Sequence, residues 1–137
     1  MVRAMARFTY DSDTAQAVAA GGLIQFASTT AANANVSYDN AGGIVLKEPG
    51  TYFVGASLTA VATAAGSIEV QMMENGVYAP GARSEQSAAA IGDFAALSVS
   101  DLVTVKPGNS GSFATVSLVS TGATSVQTAN VLVVKVA

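Results

Sequence analysis

The chain has 137 residues, of which half are hydrophobic and only 11% are charged, whereas roughly a quarter are charged in an average soluble protein. This length is typical of one domain with a single core. The formal net charge is −3, and the basic residues are scattered at Arg3, Arg7, Lys47, Arg83, Lys106 and Lys135. Nucleic-acid binding needs a clustered positive surface, and a membrane helix needs ~20 consecutive apolar residues. We expect neither partner.

The sequence contains few of the residue types that support catalysis. The sequence has no histidine and no cysteine, which excludes Ser-His-Asp and Cys-His nucleophilic sites and His-based metal sites. A glycosidase pair would need two carboxyl groups in a cleft with stacking aromatics, but tryptophan is absent. Asp11 and Asp13 lack the spacing of a calcium loop, and the paired glycines at 21–22 and 42–43 lack a phosphate-loop motif. The sequence predicts no enzyme, no cofactor and no metal.

The first 20 residues differ from the rest, because they show no clear hydrophobic period. They predict an N-terminal arm over 1–20 that precedes a domain over 21–137. Arginine and aromatic side chains contribute disproportionately to interfaces. The candidate docking residues of the arm are therefore Arg3, Arg7, Phe8 and Tyr10. A disordered terminus without a function is the competing interpretation.

From residue 23 the chain reads as short β-strands bounded by Gly, Pro, Asn or Asp. The predicted strands cover 23–26, 34–38, 44–46, 51–61, 66–74, 94–105, 113–119 and 125–137. In 51–61 the set that contains Tyr52 and Val54 alternates with the set that contains Phe53 and Gly55. This period of two is that of a strand, since a helix requires a spacing of three to four.

The residues of predicted turns and loops indicate where a partner could bind. Asn75-Gly76 supplies the positive φ angles of a tight hairpin turn, and an Ala-rich polar loop is predicted over 83–92. Loops at the end of a sandwich commonly contact partners. Asn75, Arg83 and Glu85 are therefore candidates for a partner-binding loop, with a plain solvated loop as the alternative.

Aromatic residues at alternating strand positions belong more often to a core or a subunit interface than to a ligand site. Met72 and Met73 point in opposite directions along a strand, so only one of them enters a given core layer. The candidates for a subunit interface are Tyr52, Phe53, Phe94, Phe113 and Met73.

Many short strands with turns every 8 to 12 residues predict an all-β antiparallel sandwich or barrel. Four segments, GGIVLKEPGTYFVGASLTA, ENGVYAPG, SVSDLVTVKPGNSGSFATVSLVS and NVLVVKVA, resemble the C1q/TNF-like jelly rolls of bacterial and phage surface proteins. That group includes the C-terminal domain of collagen-like spore-surface glycoproteins. The resemblance covers roughly residues 21 to 137. It implies a homotrimer of jelly rolls with apolar and aromatic side chains on a three-fold axis, where Tyr52 and Phe94 or Phe113 would lie.

The opening RFTYDSDTAQAVAAGGLIQF is also similar to the start of short phage proteins in which an arm and a jelly roll form the whole gene product. The resemblance therefore implies a virion component, either a capsid decoration or a head fibre, attached to other virion proteins through its arm. A bacterial surface or spore-coat trimer of the same fold is one alternative. A module that binds a host surface glycan is another.

Overall fold

The computed structural model describes residues 5–31, 35–107 and 114–137. The regular structure of these ranges consists of β-strands, which are in chain order β1 (Met5–Val18), β2 (Ser28–Ala31), β3 (Val36–Tyr38), β4 (Ile44–Leu46), β5 (Gly50–Ala62), β6 (Gly66–Glu74), β7 (Val77–Ala88), β8 (Phe94–Val105), β9 (Ala114–Ser120) and β10 (Thr124–Lys135). In this part of the chain no helix is long and apolar enough to cross a membrane.

The strands form two sheets of five strands each. The first sheet has the order β2-β1-β10-β5-β8, and the second has the order β3-β4-β9-β6-β7. All the pairings are antiparallel. The two sheets pack face to face over one hydrophobic core. The predicted fold class, an antiparallel β-sandwich, is confirmed.

The core follows the predicted period of two. In β5, Tyr52, Val54 and Leu58 are buried, whereas Phe53 and Ser57 between them are exposed. The same alternation buries Val70 and Met72 in β6. Successive strand residues point to opposite faces of a sheet, so each long strand contributes one face to the core and the other to the surface.

The prediction of an N-terminal arm is wrong from Met5 onward. Residues Met5–Val18 form β1, which lies inside the first sheet between β2 and β10. Phe8 is fully buried there. An irregularity between Asp11 and Gln16 shifts the register against β10, and a bulge of this kind breaks the alternation that would mark a strand. Arg3 lies outside the described residues.

The loop predicted over 83–92 is also wrong in its first half, because β7 continues to Ala88. Between Tyr78 and Arg83 the register against β6 shifts, so Pro80 lies in a bulge of an edge strand, where proline is tolerated.

Strand β7 is an edge of the second sheet, and the neighbouring β8 is an edge of the first sheet. The Gln86 carboxamide joins the two edges, since it donates to the Phe94 carbonyl and accepts from the Ala96 N–H, both at 3.3 Å.

The strand directions define two ends of the sandwich. The proximal end contains Met5 and Ala137, together with the connections at 47–49, 75–76 and 106–107. The distal end contains the connections at 63–65, 89–93 and 121–123. Consecutive antiparallel strands with short connections run in opposite directions between these two ends. The pairing registers therefore give the position of each side chain along the strand axis.

Glu48 connects several parts of the proximal end. Its backbone carbonyl accepts a hydrogen bond of 2.6 Å from the buried Tyr52 hydroxyl. Its carboxylate lies 3.0 Å from the Lys135 ammonium and accepts a hydrogen bond of 3.1 Å from Asn35. The last strand is thus fixed to the segment that precedes β5.

Replacement of Tyr52 by Phe tests this contact. We expect Tyr52→Phe to lower the free energy of unfolding by about 1–2 kcal/mol, because a buried hydrogen bond is lost and the Glu48 carbonyl loses its donor. The matched variant Tyr78→Phe removes the hydroxyl of an exposed tyrosine and should change stability by less than about 0.5 kcal/mol. Urea denaturation measures both, and equal effects would contradict the assignment.

Two carboxyl groups from opposite sheets meet near the proximal end. Glu74 ends β6 and Asp101 belongs to β8. Burial, and after it the hydrogen bond and the negative charge of Asp101, raise the pKa of Glu74 above its ordinary value. Because this pKa is higher in the folded than in the unfolded chain, protonation of Glu74 stabilises the fold. That contribution is complete below the unfolded-state pKa and is lost as the pH rises through the folded-state pKa.

Glu74→Gln keeps a hydrogen-bond donor and removes the charge. We expect this variant to unfold at a higher temperature than the wild type at about pH 7, and at nearly the same temperature at about pH 4. Asp13→Asn, which changes an exposed carboxyl group in the same way, should behave like the wild type at both pH values. A Glu74→Gln variant that gains no stability at neutral pH would contradict the strained carboxyl pair.

Candidate assembly face of the first sheet

The outward side of the first sheet carries a row of apolar side chains near the proximal end. Met5 lies opposite Val134, Val134 lies opposite Phe53, and Phe53 lies opposite Leu102. The row therefore crosses four neighbouring strands. Met5 is 46% exposed, Phe53 38% and Leu102 60%. Large apolar side chains that are contiguous on a surface commonly mark an interaction site.

The next row toward the distal end contains Leu132 on β10 opposite Gly55 on β5. A Cβ atom at Gly55 would lie only 2.8 Å from a ring carbon of Phe53. The glycine therefore lets the phenyl ring lie against the sheet. A shallow hollow of about 420 Å³ lies beside the ring, lined by Phe53, Gly55 and Leu132 and bordered by Arg83 of β7.

Hydroxyl and amide groups cover the distal half of this surface. Ser57 lies opposite Asn130 and Ser98, and Asn130 lies opposite Thr9. Thr59 lies opposite Thr128 in the following row. These residues line a second hollow of about 490 Å³. The surface thus changes from apolar to mainly polar along the strand axis, with Asp11 at the side of the hollow and the exposed Phe94 opposite Val61 at the distal margin.

Charge is nearly absent from this surface, which we call the assembly face. The outward side chains of β5, β8 and β10 include no charged residue; on β1 the outward residues Arg7 and Asp11 border them. Removal of a charged group from water costs far more than removal of a hydroxyl group. The outward side of the second sheet differs, because Glu69 and Arg83 approach there to 3.8 Å. The assembly face is therefore the surface that could be buried at lower cost.

The predicted subunit-interface residues lie in different parts of the structure. Phe53 and Phe94 are exposed on the assembly face. Tyr52 is fully buried in the core, so its assignment to a subunit interface is wrong. Met73 is half-buried on the outward side of the second sheet, and Phe113 lies outside the described residues. Leu102 and Leu132 were not among the predicted interface residues, although Leu132 lies between two buried valines and Leu102 directly precedes one.

The predicted docking residues do not form one surface. Arg7 is exposed, but the fully buried Phe8 side chain cannot contact a partner in this structure. Tyr10 is half-buried, and its hydroxyl donates to the Thr14 carbonyl at 2.5 Å. Arg83 and Glu85 lie on strand β7 and not in a loop.

The predicted hairpin is present. Asn75 and Gly76 adopt positive φ angles of 55° and 80° between β6 and β7. The Asn75 side-chain oxygen accepts a hydrogen bond of 2.9 Å from the Thr115 N–H. Asn75 therefore has a structural role that ties the turn to β9. Within the described ranges, no group of three or more acidic residues is placed to hold a metal ion.

No protein-family model and no curated protein sequence matches this chain. Among solved structures, its fold is similar to that of Eiger TNF from S. frugiperda, with a TM-score of 0.79, 13% identity, and coverage of 100% of this chain and 94% of that chain. The globular domain of zebrafish complement 1qA protein gives a TM-score of 0.73 at 12% identity, with 99% and 98% covered. For PRD1 vertex protein P5 the TM-score is 0.60 at 17% identity, with 98% and 97% covered. The fold is a TNF/C1q-like jelly roll.

Proposed function

We propose that this protein is a non-enzymatic structural protein that forms a homotrimeric knob on a virion, as a capsid decoration or a head fibre. The observation that carries the proposal is the assembly face, which combines an apolar row with an almost complete lack of charge. The motif resemblance to phage surface jelly rolls and the similarity in fold to PRD1 vertex protein P5 support the virion setting.

Burial of the assembly face supplies the energy for the trimer. Full burial of a leucine or phenylalanine side chain contributes about 1.5–3 kcal/mol relative to exposure, and Leu102, Phe53 and Phe94 are all exposed in the single chain. The serine and threonine hydroxyls of the distal half can bond across the interface or to trapped water. Three copies related by rotation close into a ring, so that no face is left unpaired at the ends of the assembly.

Two functional alternatives have less support. A glycan-binding module, the alternative that would use a loop near Arg83 or the Asn75-Gly76 turn, has less support because Arg83 lies on β7 and its guanidinium approaches Glu69. Catalysis would have to rest on carboxyl groups, and the close pair that we identify, Glu74 and Asp101, lies half-buried between the two sheets. A bacterial surface trimer of the same fold has the same assembly face, so only the location of the protein distinguishes it from a virion component.

A charged residue in the apolar row should prevent assembly. We expect the wild type to show three chain masses by light scattering, and Leu102→Asp to show one, because an aspartate in the buried row would be desolvated without a partner. Ile91→Asp is the matched control, since Ile91 is 73% exposed but lies in the distal connection. A monomeric wild type, or a Leu102→Asp variant that remains trimeric, would contradict the role of the assembly face.

The location of the protein can be tested with antibodies raised against the purified trimer. We expect gold-labelled antibodies to decorate purified phage particles in electron micrographs, and we expect peptides of this chain in the digested particles by mass spectrometry. Particles of a mutant phage that lacks the gene are the control and should show neither signal. Labelling of the bacterial or spore surface in the absence of phage would favour the alternative location and reject the virion proposal.

A further inference from the structure

The exposed charges are segregated along the strand axis. Toward the proximal end the exposed charged side chains are Arg7, Lys47 and Lys106, all basic. Toward the distal end they are Asp11, Asp13, Glu85 and Asp93, all acidic. The other exposed charges in the described ranges are Arg83, near mid-height on β7, and Asp39, whose carboxylate accepts from the Ala41 and Gly43 N–H groups.

The acidic residues of the proximal end do not offset its basic character at the surface. Glu48 is half-buried and is engaged with Lys135 and Asn35. Glu74 and Asp101 are half-buried and bonded to each other. Arg7 lies on the outward side of β1, at the border of the assembly face. The exposed charges in the connections of the proximal end itself are those of Lys47 and Lys106.

Exposed apolar side chains accompany these lysines. Val77 is 69% exposed and Tyr78 is 49% exposed where β7 leaves the hairpin, and Val136 near the chain end is 42% exposed. A protein interface typically has an apolar centre and a polar or charged rim. The proximal end has both components, and they lie on β7, in the connections and beyond β10, not among the outward side chains of β5, β8 and β10 that form the assembly face.

We propose that the proximal end is the docking surface of the knob and that it binds an acidic protein surface of the virus particle. This inference rests on the proposed function and adds to it the orientation of the knob and the chemistry of its partner. Lys47 and Lys106 would pair with carboxylates of the particle, and Val77 and Tyr78 would contact its apolar side chains. The acidic distal end would be repelled by the same surface, so that the connection containing Ile91 and Asp93 points away from the particle.

Charge reversal at either end tests this docking surface. The probe is the particle of a phage from which the gene has been deleted, mixed with purified fluorescent protein and sedimented. We expect Lys47→Glu combined with Lys106→Glu to weaken binding by at least about tenfold, and wild-type binding to weaken with added salt. The matched variant, Asp13→Lys combined with Glu85→Lys, should bind at least as tightly as the wild type. Light scattering and thermal unfolding must show that both variants are folded trimers.

A second variant tests the apolar part without a change of charge. Val77→Ser combined with Tyr78→Ser should also weaken binding, and should leave the salt dependence of the remaining binding unchanged. Folding is checked as for the charge variants, since both residues are exposed in the free chain.

The outcomes separate the two proposals. Failure of the wild type to bind the deleted particles would reject the virion function, and with it this docking surface. Binding of the wild type with normal binding of the proximal variant would overturn the docking surface and leave the virion function standing. An equal loss of binding in the proximal and the distal charge variants would overturn it as well, because the interaction would then not be located at one end.

Discussion

The period of two in the first sheet is the constraint on which the rest of this molecule depends. Half of the side chains of β5 must enter the core, and Tyr52 and Val54 do so completely. Their neighbours are then fixed on the outward side, and a slip of one residue would exchange the two sets. Because outward positions are not part of the packing within the core, the exposed Phe53 and Ser57 can contribute to the assembly face. A single strand thus determines both the buried side chains of the core and the exposed side chains of this face.

The distribution of charged side chains follows from the same alternation along the strands. Ionic groups are kept away from the middle strands of the assembly face and are placed at the ends of the sandwich, where water can reach them. Some of these charged groups form contacts within the chain, such as the ion pair between Glu48 and Lys135 at 3.0 Å. Others remain free, and their signs differ between the two ends. A chain with few charges thus has one side whose three strands β5, β8 and β10 present no outward charge, and two ends whose exposed charges differ in sign.

The parts of the fold that could be predicted from the sequence are those where alternation is uninterrupted. Ile44–Leu46, Gly66–Glu74 and Phe94–Val105 have the expected bounds. Strand β1, which was not predicted, and strand β7, of which only the start after the hairpin was predicted, each contain a register shift that breaks the period. Strand β2 was also not predicted, and its four residues are too few to show a clear period. The sequence also shows that Tyr52 and Phe53 face opposite ways, but not which of them is inside, because that depends on the order of strands in the sheet. The assembly face could be predicted only in part for this reason.

The place of β10 in the first sheet has a consequence for synthesis. This strand of 12 residues follows the other described strands in sequence and yet lies between β1 and β5. Until β10 has been synthesised, β1 has only the short β2 as a partner in the first sheet, and one side of β5 is open. The first sheet can therefore be completed only after all of its strands have left the ribosome, and pairings that are this distant in sequence form slowly. During that interval two unpaired strand edges are exposed to other nascent chains, so a high rate of expression should favour aggregates over native protein.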